Sequence, residues 1–231
     1  MLAEYRYYRS VAMHLNSRIV KIIKRHELDA AARSLGIVVR GIMVFDSEDE
    51  TSVLMDRAIY DLRRGNKNIL ACFIDEHVRE DFSETEWQLL QGKSKAWFSL
   101  FEILAAHPAE AWVQLRDLIN STGPFRMFDV GLSQTAPPGQ LIATRLVPIN
   151  DWHMTTGVSH PFRSHHAMAL MAGLKRAIPH AGKRKYKIVR PEDFSSYFFR
   201  EYKLLDEIKI GYHSVYDESI SNDRRLPRPR Q

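Results

Sequence analysis

The feature that most constrains the fold is a change of apolar period near residue 95, from helical spacing to alternation. Five short runs rich in aromatic and β-branched residues follow: WFSLFEIL, AWVQLR, PFRMFDV, QLIATRLV and WHMTTGVS. Turn-forming sequences separate them. In QTAPPG, Pro138 fixes the first φ of a type II turn and Gly139 takes the positive one. Strands spaced roughly thirteen residues apart predict a small five-stranded antiparallel β-barrel or curled sheet at 95–162.

Residues 1–94 show the apolar spacing of amphipathic helices. Tyr8, Leu15 and Ile19 recur on one face of the first segment. A second helical segment ends at Gly36, which suits a left-handed C-cap. We therefore predict a helical N-terminal region at 1–94.

The acidic stretch DSEDE at 46–50 could begin a helix or bind a cation. A calcium loop needs a glycine turn among its oxygen ligands, and this stretch has no glycine. Ser47 and Glu50 instead fit the capping box, and acids near the positive end of a helix contribute about 0.3–1 kcal/mol each. We predict that they begin a helix that Gly65 ends, and that Ser83 and Glu86 begin another in the same way.

Helical spacing returns after the five alternating runs. Ser164 is a candidate N-cap, and Pro191 suits the first position of a further helix. The predicted class is α+β, with C-terminal helices packed on the barrel and all parts forming one cooperative body. The predicted parts are a helical region at 1–94, the barrel at 95–162, C-terminal helices at 163–211 and a polar tail at 212–231.

The composition bears on where in the cell the protein is expected. The single cysteine, Cys72, excludes an internal disulfide framework and a multi-cysteine zinc site. The first twenty residues carry scattered arginines and no continuous apolar core, which is unlike a signal peptide. The longest mostly apolar run, 167–174, is too short to span a bilayer. We expect a cytoplasmic protein that does not enter a membrane.

The net charge of +5 is unevenly distributed. Residues 46–86 hold twelve acids against five Arg or Lys, whereas residues 173–231 hold fourteen Arg or Lys against eight acids. Either the basic ends fold against residues 46–86 or stay solvated, or a basic face meets an anionic partner. In the last case, the cations and the tyrosine around GKRKYK are the candidate nucleic-acid-binding residues; the alternative for this segment is a solvated loop between two helices. They are Lys175, Arg176, Lys183, Arg184, Lys185, Tyr186, Lys187 and Arg190.

Four histidines and an aspartate offer a candidate metal site. Imidazole and carboxylate groups are ligands for zinc, iron or manganese. Their spacing is unlike that of helical histidine pairs, so packing or hydrogen-bonding roles are the alternative. The candidate ligands are Asp151, His153, His160, His165 and His166.

Familiar catalytic and nucleotide-binding motifs do not occur in the sequence. There is no G-x-S-x-G, no G-x-x-x-x-G-K-[ST] and no G-x-G-x-x-G. Residues 95–162 hold four Arg or Lys against five acids, so any nucleic-acid contact is expected through the helical segments. We predict a non-catalytic interaction or adaptor protein of regulatory type that needs no cofactor and has a protein partner or forms a homo-oligomer. A metal-dependent hydrolase using residues 151–166 is the alternative.

Overall fold

The structure is a computed structural model, and it describes residues 2–177 and 193–205. The N-terminal region contains helices α1 (Leu2–Val20), α2 (Arg25–Leu35), α3 (Asp49–Tyr60), α4 (Ile69–Asp75) and α5 (Glu84–Ser94). Two short hairpins separate these helices, β1 (Val38–Val39) with β2 (Ile42–Met43), and β3 (Arg63–Arg64) with β4 (Lys67–Asn68).

The barrel follows, and two helices succeed it. Its strands are β5 (Trp97–His107), β6 (Trp112–Asp117), β7 (Thr122–Phe128), β8 (Leu141–Ile149) and β9 (Trp152–Phe162). Helix α6 (Val130–Thr135) lies between β7 and β8, and α7 (Ala167–Ala177) and α8 (Phe194–Leu205) follow β9. The predicted α+β class, with a helical N-terminal region, a small barrel and C-terminal helices, is therefore confirmed.

The barrel closes in the order β5-β6-β7-β9-β8. Neighbouring strands are antiparallel except β7 and β9, which pair in parallel between Met127 and His153. The predicted antiparallel barrel is therefore mixed at this one pairing, because an odd number of strands cannot alternate in direction around a closed ring. This order, with a helix between the third and fourth strands, matches the topology of the OB-fold, a five-stranded Greek-key barrel.

Apolar side chains fill the barrel, and helices cover its outside. Leu132 of α6 joins the interior cluster, so α6 covers part of the barrel core. Outside, Tyr8 of α1 packs edge-to-face on Trp152 of β9, with ring centroids 5.6 Å apart. Phe198 of α8 stacks on Phe98 of β5. The interior residues are Phe101, Ile103, Val113, Leu115, Met127, Leu132, Ala136, Ile142 and Leu146.

The predicted helix starts have different outcomes. At α5, Ser83 and Glu86 form the expected reciprocal capping box. At α3, Ser47 makes no capping bond, because the Glu50 carboxylate accepts the Asp46 backbone N–H at 3.1 Å instead. The other Glu50 oxygen accepts a bond from Lys203 of α8 at 2.8 Å. The acidic stretch therefore begins a helix, as predicted, but it also anchors α8.

The predicted end of α3 at Gly65 is wrong. The helix ends at Tyr60, and Gly65, with φ of 66°, occupies the turn between β3 and β4. Gly36 is the left-handed C-cap of α2, as predicted, with φ of 80°.

Candidate functional site

Most of the predicted anion-binding segment cannot be placed. Residues 183–190 lie outside the described residues. Lys175 and Arg176 belong to the last turn of α7, but their side chains also lie outside the described part. The proposed role of this segment therefore stays a prediction.

Strand β9 separates two of the predicted metal ligands. His153 stands at the start of the strand, with Nδ1 3.1 Å from the Arg126 carbonyl oxygen. His160 is close to the other end; the partners of the two histidines on β8, Pro148 and Ala143, are five residues apart, which at 3.3 Å per residue separates the histidines by about 17 Å. Burial lowers the pKa of His160 to about 4, so the imidazole is neutral at neutral pH.

The remaining candidates do not complete a metal site. Asp151 is exposed in the turn between β8 and β9, and His165 and His166 follow β9 in a short 3₁₀ turn with rings 4.1 Å apart. Among the residues that the structure describes, no group of three His, Cys, Asp or Glu side chains could hold a metal ion. The five candidates therefore do not converge on one centre.

The exposed residues of α1, of the turn after it and of the start of α2 include several cations. We define the basic face as the exposed residues between positions 2 and 26, none of which is acidic. Arg6, Lys21 and Lys24 form no ion pair with any described residue, whereas Arg25 lies 3.5 Å from Asp29. The basic face consists of Ala3, Arg6, Tyr7, Ser10, Met13, His14, Ser17, Lys21, Lys24, Arg25 and His26.

The spacing along α1 aligns this face with the helix axis. Arg6, Ser10, His14, Ser17 and Lys21 follow one another at three- and four-residue intervals, so they share one side of the helix. At 1.5 Å per residue, the fifteen residues from Arg6 to Lys21 span about 22 Å. A face of this length can follow several phosphates of a nucleic-acid strand, which are about 3.4 Å apart along the axis of B-DNA.

A buried ionic network joins the barrel to α3. Arg145 of β8 donates to Asp56 through Nε at 3.1 Å, and to both oxygens of Asp61 through Nη2 at 2.7 and 2.8 Å. Its guanidinium also lies 4.5 Å from the centroid of the Tyr60 ring. Asp56 Oδ1 is buried without a hydrogen-bond partner among the described residues, so this carboxylate depends on Arg145 for its compensation.

The same network reaches α8. Asp61 accepts a hydrogen bond from Ser195 Oγ at 2.6 Å, and Arg57 lies 3.5 Å from Asp61 and 3.2 Å from Asp193. Burial raises the pKa of Asp61, and Arg145 limits that rise. Burial alone would lower the pKa of Arg145, but Asp56 and Asp61 raise it above its ordinary value, so the guanidinium stays charged.

A buried lysine adjoins this network. Lys93 of α5 donates to Asn16 Oδ1 of α1 at 2.8 Å and to Tyr60 Oη of α3 at 3.1 Å. Burial lowers the pKa of Lys93 to about 8, although Asp56 opposes the shift. Three helices therefore meet at one ammonium group.

Sequence reasoning missed this network, although one signal was available. Arg145 is the only charged residue of β8, and it is buried with nearly every neighbour on that strand. A charge in such a run requires a buried partner. Its acidic partners are Asp56 of α3, 89 positions earlier, and Asp61, the residue after α3, 84 positions earlier. No local sequence pattern reveals a contact between residues so far apart.

Comparisons with known proteins place the chain in a family without assigning it an activity. None of the described helices has the length and apolarity to cross a membrane. No curated protein and no solved structure matches the chain. Residues 1–210 match the profile described as Family of unknown function (DUF7986), and the chain belongs to that family.

Proposed function

We propose that this protein is a non-catalytic cytoplasmic interaction protein of regulatory type that contacts nucleic acid through its basic helical segments. The observation that carries the proposal is the basic face, on which exposed cations occur without a single exposed acid. The predicted basic segment around 183–187 would provide a second contact.

The unpaired state of the cations supports a role in binding. Elsewhere on the surface, Lys67 lies 2.5 Å from Asp75, and Arg79 pairs with Glu84. Such pairs are largely neutralised before any ligand arrives. Arg6, Lys21 and Lys24 have no acidic partner among the described residues, so they can contact phosphates, and displacement of phosphate counterions then drives binding.

The basic face also carries exposed aromatic and apolar side chains beside its cations. Tyr7 and Met13 are exposed on the same face, at 55% and 64%. An aromatic ring beside cations can stack on a base or a sugar, as in proteins that bind single strands.

The barrel is less suited to this contact. Of its four cations, Arg145 is buried in the ionic network and Arg116 pairs with Glu102. Arg126 lies over the Trp112 ring, 4.7 Å from its centroid. These uses support a contact through the helical segments.

The buried polar groups support the non-catalytic part of the proposal. Arg145 of the barrel and Ser195 of α8 both donate hydrogen bonds to Asp61, the residue after α3. Their bonds connect elements that are distant in sequence, which is a structural role.

The test measures the affinity for single- and double-stranded oligonucleotides by fluorescence anisotropy over a series of salt concentrations. Replacing Arg6, Lys21 and Lys24 together by glutamine should reduce the affinity at least about tenfold. It should also reduce the slope of log K against log salt by about 2–3 for duplex DNA, because each phosphate contact contributes about 0.9.

A second triple variant is the matched control. Lys67, Arg79 and Arg116 are surface cations paired with acids, and replacing all three by glutamine changes the net charge equally. The control should bind almost as tightly as the parent protein. Equal losses in the two variants, or no binding at low salt, would refute the proposal. The Lys183, Arg184, Lys185 and Lys187 to glutamine variant tests the second contact separately.

A further inference from the structure

The β1–β2 hairpin protrudes from the helical region and exposes apolar side chains. Of the eleven residues from 39 to 49, only Met43 is not exposed. We define the hairpin patch as Val39, Ile42, Val44 and Phe45, which are 54%, 68%, 44% and 40% exposed. Scattered apolar residues are normal at a surface, but a contiguous group marks an interaction site.

Strand pairing makes the patch continuous. Val39 is paired with Ile42 across the hairpin, so their side chains stand on the same face. Val44 is two residues from Ile42 and shares that face, and its N–H donates to the Ile37 carbonyl at 2.9 Å. Val39, Ile42 and Val44 therefore lie together on one exposed face. Phe45 continues the patch along the chain on the other face.

The opposite face of the hairpin is already in use. Val38 and Met43 are half-buried against the core formed by α2 and α3. A strand that is apolar on both faces is typical of one that is covered on both sides. Among the described residues, only the face that carries Val38 and Met43 is covered by other parts of the chain.

The hairpin has a defined shape and open edges. Arg40 and Gly41 at its tip both have positive φ, 51° and 82°, as in the type I′ turn that favours two-residue hairpins. Among the described strands, β1 and β2 pair only with each other. Within the described part of the chain, their outer edges carry no further strand.

Charge is arranged in opposite signs at the two ends of the hairpin. Arg40 at the tip is exposed, and Glu48 and Asp49 are exposed just beyond the base. None of the three forms an ion pair with another described residue. Asp46, by contrast, is engaged by Lys203 at 2.6 Å.

We propose that the hairpin patch is the interface of a two-fold homodimer. With the two-fold axis perpendicular to the strands, the facing strands run antiparallel and the tip of one hairpin lies against the base of the other. Arg40 of each copy then faces Glu48 and Asp49 of the second copy. The apolar face of one hairpin meets the same face of the other. The surface is self-complementary in both charge and polarity, which an isologous interface requires.

This proposal is independent of nucleic-acid binding, because the basic face does not include the hairpin. Sedimentation velocity over a concentration series should show a monomer–dimer equilibrium of the full chain. Ile42→Glu should raise the dimer Kd at least about tenfold, because it buries a carboxylate without a partner. Val78→Glu is the matched control, since Val78 is 60% exposed and lies outside the patch. The control should leave the Kd unchanged.

A charge exchange tests the orientation. Arg40→Glu and Glu48→Arg should each weaken self-association, because like charges then face each other across the axis. An equimolar mixture of the two variants should form a heterodimer with nearly the parent Kd, because one contact keeps its original charges and the other is restored with reversed sign. Far-ultraviolet circular dichroism checks that each variant is folded.

Three outcomes would overturn the proposal. A chain that stays monomeric throughout the concentration series has no such interface. A dimer that survives Ile42→Glu uses another surface. Side chains of Val39, Ile42 and Val44 that are protected from hydroxyl-radical footprinting in the monomer would show that the chain itself covers the patch.

Discussion

Replacing Arg145 by methionine should destabilise the fold far more than replacing an exposed strand arginine. The guanidinium compensates Asp56 and Asp61, all three groups being buried. Methionine fills much of the same volume, so the main change is the loss of charge and hydrogen bonds. Asp56 loses its ion-pair partner, whereas Asp61 keeps Arg57 and Ser195.

The size of the effect follows from these contacts. Removing one partner of a buried ion pair lowers the free energy of unfolding by about 3–5 kcal/mol, because the other charge stays buried without compensation. For a chain of this length, 1 kcal/mol corresponds to about 2–4 °C in Tm, so the Tm should fall by about 10 °C.

The loss of stability in Arg145→Met should also depend on pH. Burial already raises the folded pKa of Asp61 above its unfolded value, so its contribution to stability is complete at low pH and declines as the pH rises. Removing Arg145 raises that folded pKa further. The stability deficit of the variant should therefore be larger at pH 8 than at pH 5.

Urea denaturation followed by tryptophan fluorescence measures these differences. Arg116→Met is the control, because Arg116 is an exposed strand arginine paired with Glu102, and it should change the free energy of unfolding by about 0.5 kcal/mol or less. A loss below about 1 kcal/mol for Arg145→Met would contradict the view that the network lies in a low-dielectric interior. Equal deficits at both pH values would contradict the assigned role of Asp61.

Three further predictions concern other parts of the fold. Gly92→Ala places a Cβ 2.3 Å from the Pro148 carbonyl oxygen, so urea denaturation should show a loss of about 1–3 kcal/mol, and an unchanged midpoint would mean that α5 moves freely on β8. Lys93 has a folded pKa of about 8 against 10.5 unfolded, so between these pH values the unfolded chain binds the extra proton and the free energy of unfolding should rise with pH. Lys93→Met should remove that rise. An identical pH profile for the variant would show that Lys93 is hydrated in the folded protein. Ser83→Ala removes the acceptor of the Glu86 N–H and should cost about 1 kcal/mol by thermal unfolding, whereas no loss would mean that the capping box is not formed.

Local pattern predicted the barrel because its strands are long enough to show alternation. All five predicted runs are strands, and the turn at Pro138 and Gly139 forms as expected, with Gly139 at φ of 84° and the Gln140 N–H donating to the Pro137 carbonyl. The parallel pairing of β7 with β9 depends on closure of the ring, which is a property of all five strands together. The hairpins β1–β2 and β3–β4 have strands of two residues, too short for any period to be visible.

The candidate sites were harder to predict because they depend on contacts between distant segments. The histidines are close in sequence, but an extended strand carries His153 and His160 apart. Arg145 was counted in the sequence only as one cation of the barrel. The fold makes it the centre of a buried network, because α3 packs across β8 and β9.

The uneven charge distribution has two consequences in the structure, and they respond differently to salt. Residues 46–86 receive one cation from each basic end, since Glu86 binds Arg18 at 3.0 Å and Glu50 binds Lys203. Arg6, Lys21 and Lys24 of the basic face, by contrast, form no ion pair with any described residue. Salt screens exposed charges strongly and buried ones weakly. Raising the salt concentration should therefore weaken nucleic-acid binding steeply while changing the free energy of unfolding little. If both fell together, the cations of the basic face would have to act in folding rather than in binding.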